Sequence, residues 1–279
     1  MVFCSLLGCG EVLPLEHGGA EPERIVSMAP NITETIYALG LGDKLVGATT
    51  FCTYPDAAKK IPRIGGFGQF NFEAIVSLQP DLVILHEEYD AEIARLKRLG
   101  IPYLQTGSYY IADILNTIRS IGLACGAERE ADELLARLKG RISAMKTDRQ
   151  TAPRVLIIFG GSPGTTIDQI HAFGSECIHN ELIELAGGVN VVTGKLPYSI
   201  LSKEAVLRLN PDIIIVLAPE QNNVNNLREA WMEYSSISAV ENNRIHILTN
   251  DYVCIPGPRF IQILEDFSEI FRQNNLEAE

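Results

Sequence analysis

The sequence predicts an α/β protein built as two lobes joined by a single long α-helix. Three observations lead there. Short apolar runs alternate with helical patterns along almost the whole chain, as in sheets of parallel strands covered on both faces. Residues 73–84, EAIVSLQPDLVI, are echoed by residues 204–215, EAVLRLNPDIII, with six identities in twelve positions. Between the copies lies one long amphipathic stretch, AEREADELLARLKGRISAMKT, over residues 127–147. The 279 residues suit two lobes of ordinary domain size.

The first run, Ile25 to Met28, reads as a strand that stops at Ala29-Pro30-Asn31. Asn31 or Thr33 is the expected cap of a helix through Leu39, closed by Gly40. Leu45 to Ala48 is the next strand, and a Pro- and Gly-rich loop fills residues 49–70. A helix over 71–78 leads into the strand 81–85, followed by a helix over 91–99 and a strand over 102–104. In the echo, Leu-x-Pro-Asp ends each helix, because proline stops the helix and presets the turn. The interval 127–147 carries Leu134, Leu135, Leu138, Ile142 and Met145 near helical spacing. About 20 residues span roughly 30 Å as a helix. The alternation then restarts at Arg154 to Phe159, with strands at 213–217 and 245–248 and a last helix near 260–271. The resulting division is 1–23 as N-terminal tether, 24–126 as first lobe, 127–150 as linker helix and 151–279 as second lobe.

Hydrophobic residues make up 46% and charged residues 21%, enough apolar material for a substantial core. A formal net charge of −12 repels phosphate backbones, so nucleic acid is not an expected partner. The six cysteines (Cys4, Cys9, Cys52, Cys125, Cys177 and Cys254) form no CxxC pair, which argues against a zinc ribbon or a thioredoxin-type site. They are expected to be mostly buried small residues or free thiols, although a Cys52–Cys254 disulfide is conceivable. Leu6-Leu7-Gly8-Cys9 resembles the lipobox of bacterial lipoproteins, which implies acylation of Cys9 and a lipid anchor. Only seven residues separate Met1 from Cys9 and none is basic, so a featureless N-terminus is the alternative.

Longer segments carry a second resemblance. RIVSMAPNITETIYALGLGDKLVGAT, TYPDAAKKIPRIGGFGQFNFEAIVSLQPDLVI, ELIELAGGVNVV, LSKEAVLRLNPDIIIV and TNDYVCIPGPRF resemble the periplasmic binding proteins for cobalamin, haem and ferric siderophores, the cobalamin binders most of all. The likeness runs from Arg24 to about Arg272. It implies two Rossmann-like lobes on one long helix, a ligand cleft between the lobes, and a monomeric, non-enzymatic, periplasmic or otherwise extracytoplasmic protein. Such a protein delivers a corrinoid (cobalamin or cobinamide) to the permease dimer of an ABC importer and needs no cofactor of its own. Tyr54, Phe67 and Tyr198 match positions whose aromatic faces hold the corrin ring. The family often has tryptophan at the positions of Phe67, His86 and Tyr198, whereas the only tryptophan here is Trp231. Asp251 and Tyr252 match a second-lobe ligand loop, where Asp251 would accept hydrogen bonds from corrin amides or merely cap a turn. His86 follows a strand directly and would face the ligand, either packing against it or ligating its metal. Glu73 and Glu204, equivalent residues of the echo, match the acids that pair with permease arginines.

Two other readings compete. Haem or a ferric siderophore would use the same architecture, although siderophore binders often line the site with cations that these loops carry sparingly. A tetrapyrrole metal chelatase would need a His/Glu pair, for which His86 with Glu87 or Glu88 is the candidate. No second histidine is placed opposite, His171, His179 and His246 show no three-histidine zinc pattern, and there is no Walker loop. Gly160-Gly161-Ser162-Pro163-Gly164 is a weak phosphate cradle, because its proline lacks an amide donor.

Overall fold

The computed structural model describes residues 21–145, 152–160, 169–219 and 224–276. Cys4, Cys9 and most of the glycine-rich run after Phe159 lie outside the described residues. The chain divides into two compact units. Unit 1 holds the described residues up to Thr106 together with Asn116–Leu134, and unit 2 holds Gly107–Leu115 together with those from Leu135 onward.

Unit 1 runs β1 (Ile25–Ser27), α1 (Pro30–Ala38), β2 (Leu45–Ala48), β3 (Gly65–Gly66), β4 (Gln69–Phe70), α2 (Phe72–Ser77), β5 (Leu82–His86), α3 (Asp90–Leu99) and β6 (Tyr103–Thr106). Its four-stranded sheet has the order β2-β1-β5-β6 and is parallel throughout. All five residues of β5 are buried, as a central parallel strand requires. Val26, Val83 and Leu85 pack with Phe72 and Ile75 of α2 and with Ile93 and Leu96 of α3. The expected cap of α1 is corrected. The helix begins at Pro30, whose ring presets φ and whose missing N–H costs nothing at the first helical position. Asn31 and Thr33 are therefore inside the helix, and the Thr33 hydroxyl donates to Ser27 Oγ at 2.8 Å.

Two helices, not one, have residues in both units: α4 (Ile111–Cys125) and α5 (Glu128–Met145). The expected helix over 127–147 is α5, and α4 precedes it across a turn at Gly126, where φ is 70°. The segment before α4 is held in unit 2 by polar contacts. The Tyr110 hydroxyl donates to Glu176 at 2.8 Å, and the Ile111 amide donates to Glu181 at 2.6 Å.

Unit 2 continues with β7 (Arg154–Phe159), β8 (Ile170–Phe173), α6 (Ile178–Leu185), β9 (Val189–Asn190), β10 (Tyr198–Leu201), α7 (Lys203–Leu209), β11 (Ile213–Leu217), α8 (Val224–Met232), α9 (Ser238–Glu241), β12 (Ile245–Leu248) and α10 (Phe260–Leu276). The sheet order is β10-β8-β7-β11-β12. β7, β11 and β12 are parallel, but β8 and β10 run antiparallel to their neighbours. One edge of β7 is shared lengthwise, with β9 pairing at Arg154 and Val155 and β8 at Ile158. Trp231 is 3% exposed and packs in the core beside Ile214, Val216 and Ile237, so the single tryptophan is structural.

The echo is one device built twice. Asn71 and Ser202 cap α2 and α7, accepting from the Ala74 and Ala205 amides at 3.1 and 3.3 Å. Gln79 and Asn210 end the turns in the left-handed region, at φ 46° and 39°. The Arg24 guanidinium donates to the Leu78 carbonyl at 2.7 Å, and that of Arg154 donates to the equivalent Leu209 carbonyl, also at 2.7 Å. Asp81 accepts from the Glu23 and Arg24 amides, while Asp212 accepts from the Arg154 amide. In each unit an arginine thus covers helix-end carbonyls, and an aspartate two residues beyond the left-handed turn ties the next strand to the first.

Candidate functional site

In open α/β sheets, ligands gather at the carboxyl ends of the parallel strands. In unit 1 that edge carries an aromatic group. Phe67 sits on the β3–β4 turn and is 77% exposed. Gly65 makes this turn possible: its φ is 111°, and a Cβ there would meet the Gln69 carbonyl at 2.2 Å. The Phe67 ring meets Tyr89 edge-on at 6.4 Å, and Tyr89 also meets Phe70 at 5.2 Å and His86 at 6.2 Å. Phe51 and Tyr54 are exposed on the loop after β2. Arg63 fastens that loop by donating to the carbonyls of Thr49, Cys52 and Lys59.

His86 ends β5 with a buried ring whose Nδ1 lies 3.2 Å from Thr106 Oγ1. Burial pushes its pKa below the usual imidazole range, against the pull of the Glu88 carboxylate and the Thr106 contact. The ring is therefore neutral, and Thr106 engages one of its nitrogens.

Unit 2 carries a second aromatic group. Tyr198 begins β10 directly opposite Phe173 of β8. Its ring lies 5.5 Å from that of Phe173 and 5.9 Å from that of Phe159, and Phe159 packs on Phe173 at 4.2 Å. Phe173 is buried, whereas Phe159, Tyr198 and Ile200 remain exposed. Behind them His179 packs on Phe173 at 4.2 Å, and its Nε2 lies 2.8 Å from the Val253 carbonyl. Complete burial lowers its pKa to about 4, so the neutral ring donates to that carbonyl.

The loop over residues 250–254 is tied to α10 and to the residue just before that helix. Asp251 pairs with Arg259 at 2.8 Å, and the Arg259 side chain is only 10% exposed. The Tyr252 ring is buried, and its hydroxyl donates to Asp266 at 2.9 Å and accepts from Asn250 at 2.6 Å. Asp251 thus meets a cation of its own chain, and Tyr252 serves as a strut of the loop.

Sequence reading missed Phe51, Phe70, Tyr89, Phe159 and Phe173. Tyr89 carries a weak signal, three residues beyond His86, and Phe159 another, as the last residue of an apolar run. Glu73 and Glu204 are exposed in the first turns of α2 and α7. The Ser202 hydroxyl holds the Glu204 carboxyl below its ordinary range, aided by the backbone amide of Glu204. Cys52, Cys125, Cys177 and Cys254 are free thiols, so the conceivable Cys52–Cys254 disulfide is absent. Among the described residues no group of three or more His, Cys, Asp or Glu side chains is arranged to hold a metal ion, and no helix is long and apolar enough to cross a membrane.

A family model described as periplasmic binding protein matches residues 25–252. An uncharacterised ABC transporter substrate-binding lipoprotein of Bacillus subtilis is 33% identical over 260 residues, covering 89% of this chain and 80% of the relative. Among solved structures, the periplasmic haem-binding protein of Roseiflexus sp. RS-1 is 29% identical, with a TM-score of 0.77, over 89% of this chain and 97% of that one. The periplasmic vitamin B12 binding protein of Vibrio cholerae is 27% identical, with a TM-score of 0.73, over 90% and 97%.

Proposed function

Since the chain belongs to the periplasmic binding protein family, we propose that it captures a corrinoid, cobalamin or cobinamide, and hands it to the permease of an ABC importer. The family is one of non-catalytic solute-binding proteins acting outside the cytoplasm, and the haem-binding and vitamin B12 binding proteins named above are among the solved structures this chain resembles. One observation carries the finer reading. Each unit offers exposed aromatic faces, Phe67 and Tyr54 in one and Tyr198 and Phe159 in the other, while Arg63 and Arg259 of the loops are engaged by backbone carbonyls and by Asp251. Flat apolar faces favour a macrocycle, and the engagement of these two guanidinium groups favours neutral amide arms over free carboxylates. The vitamin B12 binding relative supports the same choice.

Haem is the second reading. The exposed phenols of Tyr54 and Tyr198 favour it, because a tyrosinate is a competent ligand for ferric iron. The two separate in one experiment. Hydroxocobalamin, cobinamide, haemin and ferric siderophores are each mixed with the protein, and the visible spectrum is read after gel filtration. Corrin absorbance travelling with the protein supports the proposal. Haemin alone travelling, with a phenolate-to-iron band, replaces it.

Glu73 and Glu204 are proposed to meet cations of the permease, one per unit, as charge-assisted contacts that fix orientation. Reversing both to arginine should leave ligand affinity intact and abolish uptake, whereas the same change at Glu87 and Glu88 controls for net charge. Cys9 is proposed as the site of a lipid anchor, supported by the lipoprotein relative. Cys9→Ala should release the protein from the membrane fraction.

A further inference from the structure

The two docking helices repeat more than their acids. From Glu73 to Gln79 and from Glu204 to Asn210 the accessibility pattern is the same at every one of seven positions. Ile75 and Val206 are buried, as the inward face of a short helix requires. The next position, Val76 in unit 1 and Leu207 in unit 2, points outward, 45% and 41% exposed, and is apolar in both. The exposed positions that follow, Ser77 and Arg208, are polar. A single exposed apolar residue is ordinary and signifies nothing. Two at the same place in a duplicated element, each three residues after an exposed acid and so on the same helical face, form a repeated pattern.

We propose that Glu73 with Val76, and Glu204 with Leu207, are two copies of one docking patch, an acid with an apolar knob one turn away, for a partner that presents a matching basic and apolar socket twice. The partner is the permease dimer of the importer, so this inference rests on the docking reading given above. Charge complementarity supports that occupant. The chain is at −12, and among the described residues neither acid lies in a salt bridge. Arg208 and Lys203 lie close enough to help hold the Glu204 carboxyl below its ordinary range, without forming a salt bridge to it, and Lys203 also lies 5.6 Å over the Tyr234 ring. The patch is also held in place. Each helix is capped at its start by Asn71 or Ser202 and covered at its end by Arg24 or Arg154, so little ordering remains for binding to impose. The apolar knob supplies the short-range part of the contact, which salt does not screen, beside an acid whose attraction salt weakens.

The test measures binding of the full chain to the cognate importer in lipid nanodiscs, free of nucleotide and of ligand, so that it is independent of what the protein carries. V76S/L207S should weaken binding roughly tenfold, the loss expected for two apolar side chains partly buried at an interface. Raising salt should weaken V76S/L207S by the same factor as the wild type. L99S/M232S removes two other exposed apolar side chains and should bind like the wild type. Circular dichroism melting confirms that each variant is folded. V76S/L207S binding within twofold of the wild type, while E73R/E204R does not bind, would overturn the apolar knob and leave the acids standing. Wild-type binding by E73R/E204R as well would overturn both. Equal weakening by L99S/M232S would show that general surface apolarity is read, and would also overturn the proposal.

Discussion

Helix α2 in unit 1 and helix α7 in unit 2 share a cap at the start and, at the end, a left-handed turn, an arginine over the helix-end carbonyls and an aspartate on the next strand. The sheets those turns feed do not match. The four-stranded sheet of unit 1 is parallel throughout, whereas the main sheet of unit 2 inserts the antiparallel strands β8 and β10. The aromatic sets follow the sheets. Unit 1 hangs its most exposed ring, Phe67, on a hairpin, and unit 2 mounts Tyr198 on an edge strand against a buried Phe173. The duplicated turn thus holds one helix in the same way in both units, while the strand ends differ where each unit carries its own exposed aromatic set.

This contrast predicts unequal responses to mutation. The largest is for Phe173→Ala, which removes a fully buried ring packed on Phe159 and His179 and should cost about 3–5 kcal/mol in urea unfolding. Phe67→Ala in unit 1 should change stability by less than about 0.5 kcal/mol, as expected of an exposed side chain. Equal costs would break the distinction between a mounted and a hanging aromatic set.

Next comes pH. His179 has a folded pKa of about 4 against an ordinary value of 6.5, because burial disfavours its charged form. The unfolded chain therefore binds the proton more readily. The contribution of His179 is complete above pH 6.5 and is lost as pH falls from 6.5 towards 4, on the order of 3 kcal/mol in all. His179→Gln should flatten that slope. His86 is displaced in the same direction, but Glu88 opposes the shift, so His86→Gln should flatten it less.

The smallest effects test the shared turn. Asp81→Ala strips the acceptor from two backbone amides and Asp212→Ala from one, so losses of about 2 and about 1 kcal/mol are expected from chemical denaturation. Neither change should alter ligand affinity.

The sequence made the parallel strands legible, because β2, β7, β11 and β12 are mainly apolar segments whose expected ends coincide with the observed ones. It also made the echo legible, including the matched acids Glu73 and Glu204. It did not disclose β8 and β10. Ile170–Phe173 and Tyr198–Leu201 pair antiparallel and expose His171, Tyr198 and Ile200, so neither reads as the buried run of a parallel strand. The pairing of Arg24 with the carbonyls of Leu78 and Gln79 spans more than fifty residues, and no local pattern encodes it. For Tyr252 the loop was identified, but the inward direction of the ring depends on Asp266, which α10 supplies from farther along the chain.

The proposed ligand is a neutral corrin macrocycle, bound through exposed aromatic faces such as those of Phe67 and Tyr198. Calorimetric titration of the wild type, Phe67→Ala, Tyr198→Ala and the double variant with hydroxocobalamin tests this proposal most directly. Wild-type binding is expected to be tighter than about 1 μM, with the double variant weaker by about 2 kcal/mol, roughly thirtyfold. An absence of heat with every corrinoid, beside tight binding of haemin, would contradict it.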